Sequence, residues 1–153
     1  MIDNKLWMDY LKLLEGLSKT IGQLTEVEQK KTLAVSQGRL DEVEDCMKRE
    51  QALSLSLRGC DQKRETMLAR MGLKNIPLRQ LEQYAPEGLE METKRVANEL
   101  RGKYSVFQSA SQVARNTLEC NLRAIERIQE RQQQGGAPTP PPQEGASQYD
   151  LRA

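Results

Sequence analysis

Apolar residues recur at every third or fourth position over most of this chain, which is the spacing that places them on one face of an α-helix. The first such segment runs from about Asp3 to Gln37, with Asp3 or Asn4 available as N-cap. Its stripe consists of Trp7, Tyr10, Leu14, Leu17, Ile21, Leu24, Glu28, Lys31 and Val35. A helix of about 33 residues would be roughly 50 Å long, so we expect a second helix to cover it along its length.

Gly38 is predicted to end the first helix, and the second helix is predicted to start just after it. A glycine in the left-handed conformation ends helices, and a new apolar stripe runs from about Leu40 to Met71. Because the connection is short, the two helices should pack antiparallel. The stripes then match, with Leu24 near Leu53, Leu17 near Leu57 and Trp7 near Leu68.

Two charged residues, Glu28 and Lys31, interrupt the apolar stripe of the first helix close to the turn. Folding the hairpin places them near three charged residues of the second helix, Asp45, Lys48 and Arg49. A charge layer of this kind can fix the register of two helices at some cost in stability. We interpret it as structural rather than catalytic, because nothing in the pattern predicts a cleft around it.

A short insert separates the hairpin from the last helix. Gly72 ends the second helix, Pro77 suits the first turn of a short helix, and Leu78, Leu81 and Tyr84 make that helix apolar on one side. The run from Ala85 to Gly88 breaks it again. We expect the insert to cap the open end of the hairpin.

The last helix is predicted from near Pro86 to about Gln133. Its stripe consists of Val96, Leu100, Tyr104, Phe107, Ser111, Ala114, Leu118, Leu122, Ile125 and Ile128. At about 47 residues it would be roughly 70 Å long, about 20 Å more than the hairpin. Part of the stripe should therefore overhang, and Leu118, Leu122, Ile125 and Ile128 form the candidate patch. Such a patch is ordinary core, an oligomer contact or a groove for a foreign amphipathic helix.

The prediction for the whole chain is an all-α fold: a long antiparallel hairpin plus a third long helix, in a coiled-coil-like three-helix bundle over residues 1–133. Residues 134–153 differ sharply in composition. Glycine and proline dominate residues 135–142, which predicts a flexible tail that ends in the peptide Gln148–Ala153.

Charge and chemistry narrow the function classes. The chain has 23 Lys and Arg against 22 Asp and Glu, so it lacks the clustered positive field that nucleic-acid binding needs. It has no histidine, which excludes Ser-His-Asp and Cys-His sites and the histidine-containing metal motifs of helices. Its three cysteines, Cys46, Cys60 and Cys120, have no metal-like spacing and are interpreted as buried small apolar residues. We expect no enzyme, no metal and no cofactor.

Targeting signals are also missing from the sequence. The first residues lack a basic region followed by an apolar stretch, so we expect no signal peptide. No segment approaches the roughly 20 apolar residues that span a bilayer. The expectation is a cytoplasmic protein with no membrane insertion.

The order of these motifs resembles the FlgN family of flagellar export chaperones. The run from Lys30 to Val43 resembles the family's lysine, apolar pair, glycine-containing turn and acidic restart. The family's second helix is resembled by Glu50-Gln51-Ala52-Leu53 with Arg64. Its helix end and insert are resembled by Leu68 to Leu73 with Leu78 and Leu81. Asn116 to Leu122, with Ile125 and Ile128, resembles its closing helix. The resemblance covers about Leu6 to Ile128.

The resemblance implies a type III export chaperone that holds the C-terminal segments of the hook–filament junction proteins FlgK and FlgL. Those segments become amphipathic helices, and the matching cargo surface here would be Leu118, Leu122, Ile125 and Ile128. Relatives also dock on the export-gate protein FlhA through a tyrosine in a flexible tail, which implies this role for Tyr149. Asp150 follows it here, where a glycine is common in relatives. The alternative is a scaffolding coiled coil that self-associates, for example as a homodimer, through its last helix.

Overall fold

The computed structural model describes residues 3–132, and this part of the chain is helical with no strand. Three long α-helices follow one another, α1 (Asn4–Ser36), α2 (Leu40–Arg70) and α3 (Glu90–Gln132), with a short 3₁₀ helix (Leu78–Tyr84) between α2 and α3. The predicted all-α architecture of hairpin, insert and third long helix is confirmed. The tail, residues 134–153, lies outside the described residues, and so does the predicted helix end at Gln133.

The first two helices begin and end where the sequence predicts. Asp3 is the N-cap of α1, and its carboxylate accepts a hydrogen bond from the Lys5 amide at 3.1 Å. At the other end Gly38 has φ +69°, and its amide and that of Arg39 donate to the carbonyls of Val35 and Ala34. This pair of bonds closes α1 in the Schellman arrangement, which needs a residue with positive φ. Gly72, with φ +73°, closes α2 with the same bonding pattern.

Gly38 and Gly59 allow one substitution to be tested in two backbone conformations. In Gly38→Ala the new Cβ meets no atom within 4 Å, so the cost is the positive φ alone, about 1 kcal/mol of unfolding free energy. In Gly59→Ala the Cβ also meets open space, but the residue lies inside α2, so the alanine should stabilise by about 0.5–1 kcal/mol. Urea titrations followed by circular dichroism measure both. Equal effects of the two substitutions would contradict this account.

The core lies along α1. A single hydrophobic cluster contains the predicted stripe of α1 from Trp7 to Leu24 and, from α2, Leu57 and Leu68, with Leu53 packed against it. The insert contributes Leu78 and Leu81 to the same cluster, and of the three long helices only α3 has Cα atoms within 8 Å of those of the 3₁₀ helix. We call the end where α1 begins the base, and the Gly38 end the tip.

The third helix starts later than predicted. Pro86 and Gly88 belong to a turn instead: the Leu89 amide donates to the Pro86 carbonyl, and Gly88 has φ +89°. A residue with this φ cannot continue a right-handed helix, so α3 begins at Glu90. Its 43 described residues span about 65 Å, which exceeds the 33-residue α1 by about 15 Å rather than the predicted 20 Å.

Both neighbours of α1 pack on it without packing on each other. Over the described residues, no Cα atom of α2 lies within 8 Å of a Cα atom of α3. By contrast, α1 approaches both helices closely along their lengths, and α3 also contacts the 3₁₀ helix. The bundle is therefore built around α1, with α2 and α3 as separate walls.

Candidate functional site

Two hydrogen bonds fix how α3 lies along α1. At the base, Trp7 Nε1 donates to Thr93 Oγ1 at 2.8 Å; near the tip, Asn121 Nδ2 donates to the Val35 carbonyl oxygen at 3.4 Å. Both pairs are 86 residues apart in sequence, so the two helices run parallel in a constant register. The same offset aligns Ser36, the last residue of α1, with Leu122. Residues 123–132 of α3 thus continue past α1, over about 15 Å.

The apolar stripe of α3 emerges from the core as it approaches the tip. Val96, Phe107 and Ala114 are buried, whereas Leu118 is 42% exposed, Leu122 36% and Ile128 55%. The side chain of Ile125 is not among the described ones. Three of the four predicted patch residues therefore present apolar surface to solvent in the isolated chain, at the end where α3 outruns its support.

Sequence reasoning missed that α2 shows the same behaviour at the same end. Leu40, Met47 and Leu68 share one face of α2 by their spacing of seven residues or a multiple of seven. Leu68 is buried at the base, but Met47 is 52% exposed and Leu40 78%. No residue of α2 before Leu57 is buried. The tip therefore has apolar side chains on both walls, and we call Leu40, Met47, Leu118, Leu122 and Ile128 the tip surface.

The contact between α2 and α1 at this end includes a cluster of ion pairs. Lys31 Nζ lies 2.6 Å from Glu50 Oε2 and 3.2 Å from Glu28 Oε2, so one lysine serves two carboxylates. The predicted charge layer therefore exists, but the contact of Lys31 on α2 is Glu50, one position beyond the expected group of Asp45, Lys48 and Arg49. Lys48 pairs instead with Glu44 on the exposed side of α2.

Glu28 is the unusual member of this cluster. Its side chain is only 3% exposed, and burial together with the neighbouring Glu50 carboxylate raises its pKa to about 7, against the lowering effect of Lys31. Lys31 has a raised pKa because both carboxylates hold its charged form. At neutral pH the cluster is therefore close to the point where Glu28 exchanges its proton.

Other polar groups of the core are structural. At the base, Arg64 is buried in α2 and its Nε donates to Asp61 Oδ1 at 2.9 Å, and it also interacts with the buried Tyr10 across the hairpin. Burial raises the pKa of Tyr10, while the Arg64 charge lowers it.

None of the three cysteines is fully buried. Cys46 and Cys60 are half-buried, and Cys120 is exposed on α3, so the interpretation as a buried small residue is wrong for Cys120. Within residues 3–132, no three Cys, Asp or Glu side chains are placed to hold a metal ion. In the same range, no helix combines the length and apolarity needed to cross a bilayer.

Tyr149, the predicted contact with the export gate, lies outside the described residues. Comparisons of the chain with protein-family models, with curated proteins and with solved structures give no match. The fold is therefore established by the structure alone, and the resemblance to the FlgN family stays a prediction.

Proposed function

We propose that this chain is a cytoplasmic export chaperone of the FlgN type. It binds the C-terminal amphipathic segments of the hook–filament junction proteins FlgK and FlgL, prevents their premature assembly and brings them to the export gate. The observation that supports this most is the exposure of Leu118, Leu122 and Ile128 on a helix that continues past the hairpin. The identity of the cargo rests on the family resemblance.

The apolar side chains at the tip supply a binding free energy in the range that suits a carrier protein. Burying a leucine or isoleucine side chain contributes about 1.5–3 kcal/mol, so the four patch residues of α3 offer roughly 6–12 kcal/mol in total. Association and ordering costs remove a large part of this gain. Leu118 and Leu122 are already partly buried in the free chain, so less of their apolar surface remains to be buried on binding. We expect a micromolar dissociation constant, which suits cargo that must later be released.

The direct test is isothermal titration calorimetry of the whole chain with C-terminal peptides of FlgK and FlgL. We expect saturable micromolar binding with a negative heat-capacity change, because apolar surface is buried. A scrambled peptide of the same composition serves as the control, since it has the same charge but no apolar stripe. Failure of both cargo peptides to bind would refute the proposal.

A separate prediction concerns the tail. Deleting residues 135–153 should leave cargo affinity unchanged, because the tip surface lies entirely on α2 and α3. The same deletion should weaken recruitment to the cytoplasmic domain of FlhA, since Tyr149 is the residue that resembles the family's gate contact. Pull-down with purified FlhA measures this, with Tyr149→Ala in the full chain as the matched variant. Unchanged recruitment of both variants would exclude Tyr149 from the gate contact.

The same exposed stripe favours one competing function, a scaffolding coiled coil in which a second copy of the chain covers the tip surface. That function predicts a concentration-dependent dimer in analytical ultracentrifugation and no affinity for the cargo peptides. The chaperone predicts cargo binding, with any dimer dissociating as cargo is added. The two experiments together therefore separate the candidates.

A further inference from the structure

Two glutamates beside the tip surface differ from every other shielded carboxylate of the described chain. Five Asp and Glu side chains in residues 3–132 are buried or half-buried: Glu28, Glu50, Asp61, Glu119 and Glu126. The first three have a basic partner, Lys31 for the two glutamates and Arg64 for Asp61. Glu119 and Glu126 are half-buried, and neither has an ion pair with a described residue.

The position of these two glutamates ties them to the apolar patch. Glu119 precedes Leu122 by three residues and Glu126 follows it by four, so all three share one face of α3. A helix that packs on Leu122 therefore passes beside both carboxylates and removes more of their water. Removing water from a carboxylate without supplying a cation costs free energy, whereas an incoming ammonium or guanidinium group offsets that cost.

The α2 wall carries charge of the same sign. Between Leu40 and Met47 the sequence contains four acidic residues and no basic one: Asp41, Glu42, Glu44 and Asp45. All four are exposed, and Glu44 follows Leu40 by four residues and precedes Met47 by three, which puts it on their face. Glutamates therefore border the apolar residues of both walls. Glu44 pairs with Lys48, and one arginine of α3, Arg115, shares the face of Leu118 and Leu122, which it precedes by three and seven residues.

We infer that the helix bound at the tip carries lysine or arginine next to its apolar stripe, in ion pairs with Glu119 and Glu126. This inference rests on the proposed function, since it specifies which amphipathic segments the surface accepts. If the segment instead carries acidic residues beside its apolar stripe, binding costs the desolvation of two carboxylates and the repulsion between like charges. The surface therefore discriminates by charge as well as by shape. The occupant is therefore a basic amphipathic helix.

The test uses the full chain and three synthetic peptides of about five helical turns. All three carry the same leucine stripe, and the positions on either side of the stripe are lysine in the first peptide, glutamine in the second and glutamate in the third. Fluorescence anisotropy should rank the affinities as lysine above glutamine above glutamate, with the two extremes at least about tenfold apart for two charge pairs. High salt should reduce the difference in affinity between the lysine and glutamate peptides, because the charged positions beside the stripe stay partly exposed to solvent.

Charge reversal identifies the responsible residues. The double variant Glu119→Lys/Glu126→Lys should invert the ranking of the lysine and glutamate peptides. The control Glu65→Lys/Glu82→Lys changes the net charge equally at exposed positions of α2 and the 3₁₀ helix, and it should retain the original ranking. If the reversed variant loses helicity, Glu119→Gln/Glu126→Gln replaces it and should abolish the preference.

The outcomes separate this inference from the proposed function. Equal binding of all three peptides, or the same ranking in the reversed variant and its control, overturns the basic-helix inference and leaves helix binding in place. Failure of all three peptides and of the cargo peptides to bind overturns both. Inversion of the ranking by Glu119→Lys/Glu126→Lys alone supports the inference.

Discussion

Replacing Leu118 and Leu122 together by aspartate should weaken cargo binding at least about a hundredfold. Each substitution removes an apolar side chain worth about 1.5–3 kcal/mol on burial and introduces a carboxylate that would be desolvated in the complex. A loss of about 3 kcal/mol already corresponds to more than a hundredfold in the dissociation constant. Titration calorimetry with the FlgK and FlgL peptides measures this change.

The chain offers a matched control on the same helix. Val106 and Val113 are both more than half exposed, and each precedes a buried stripe residue, Phe107 or Ala114, by one position. A shift of one residue turns a side chain by about 100° around the helix, so these valines lie off the stripe. Val106→Asp/Val113→Asp should therefore bind cargo normally. Equal losses in both double variants would show that any charge on α3 disturbs binding, and the tip surface would lose its support.

Helical content provides the second check on the leucine variant. Leu118 and Leu122 are partly exposed, so aspartate at these two positions should cost the folded chain little. Circular dichroism should show the wild-type helical signal. Loss of the signal together with loss of binding would mean that these leucines hold the bundle together rather than receive a partner.

Most of the fold was predictable because its determinants are local. The stripes of α1 and α3 follow from the spacing of apolar residues, and the breaks follow from Gly38 and Gly72, which adopt positive φ. The start of α3 was predicted wrongly, because Pro86 suits a helix start as well as a turn, and the left-handed Gly88 decides between them. The antiparallel pairing of α1 and α2 was predictable from the short connection alone.

The tip surface was only half predictable. Comparing helix lengths was enough to propose Leu118 and Leu122, because α3 is longer than the hairpin. The exposure of Met47 was not predictable, since Met47 and the buried Leu68 are both large apolar residues at the same heptad position. What distinguishes them is their surroundings: Leu68 belongs to the hydrophobic cluster that Leu78 and Leu81 of the insert join, and Met47 does not. No local pattern encodes this difference. The unpaired state of Glu119 and Glu126 likewise depends on which cations approach in three dimensions.

The two ends of the molecule are packed differently. The base contains the large buried side chains, including Trp7 with its hydrogen bond to Thr93, and the insert covers it. The tip contains no buried residue of α2, and there the ion pair of Lys31 and Glu50 joins α2 to α1. Ligand-binding regions are drawn from the less stable parts of a protein, so a rigid base with a loosely packed tip is consistent with reception of a partner there.

That polar contact makes stability depend on pH. The ordinary pKa of glutamate applies to Glu28 in the unfolded chain, whereas burial and Glu50 raise the pKa to about 7 in the folded chain. Between these two values the folded state binds the proton more tightly, so the free energy of unfolding falls as pH rises. The contribution is fully present below the unfolded pKa and is lost by about pH 7. The charged groups that act on Glu28 are Lys31 on α1 and Glu50 on α2.

Glu28→Gln should therefore remove a pH-dependent term on the order of 3 kcal/mol. Glutamine mimics the protonated carboxyl, so the variant should be more stable than the wild type at pH 8 and should lose that advantage at pH 5. Urea titrations at both pH values measure the difference, and Glu44→Gln, at an exposed carboxylate of α2, should change stability by less than about 0.5 kcal/mol at either pH. Since other carboxylates titrate equally in both proteins, a difference that is the same at pH 5 and pH 8 would exclude a raised pKa at Glu28. A difference that appears only at pH 8 would place the proton on the carboxylate that shares Lys31 with Glu50.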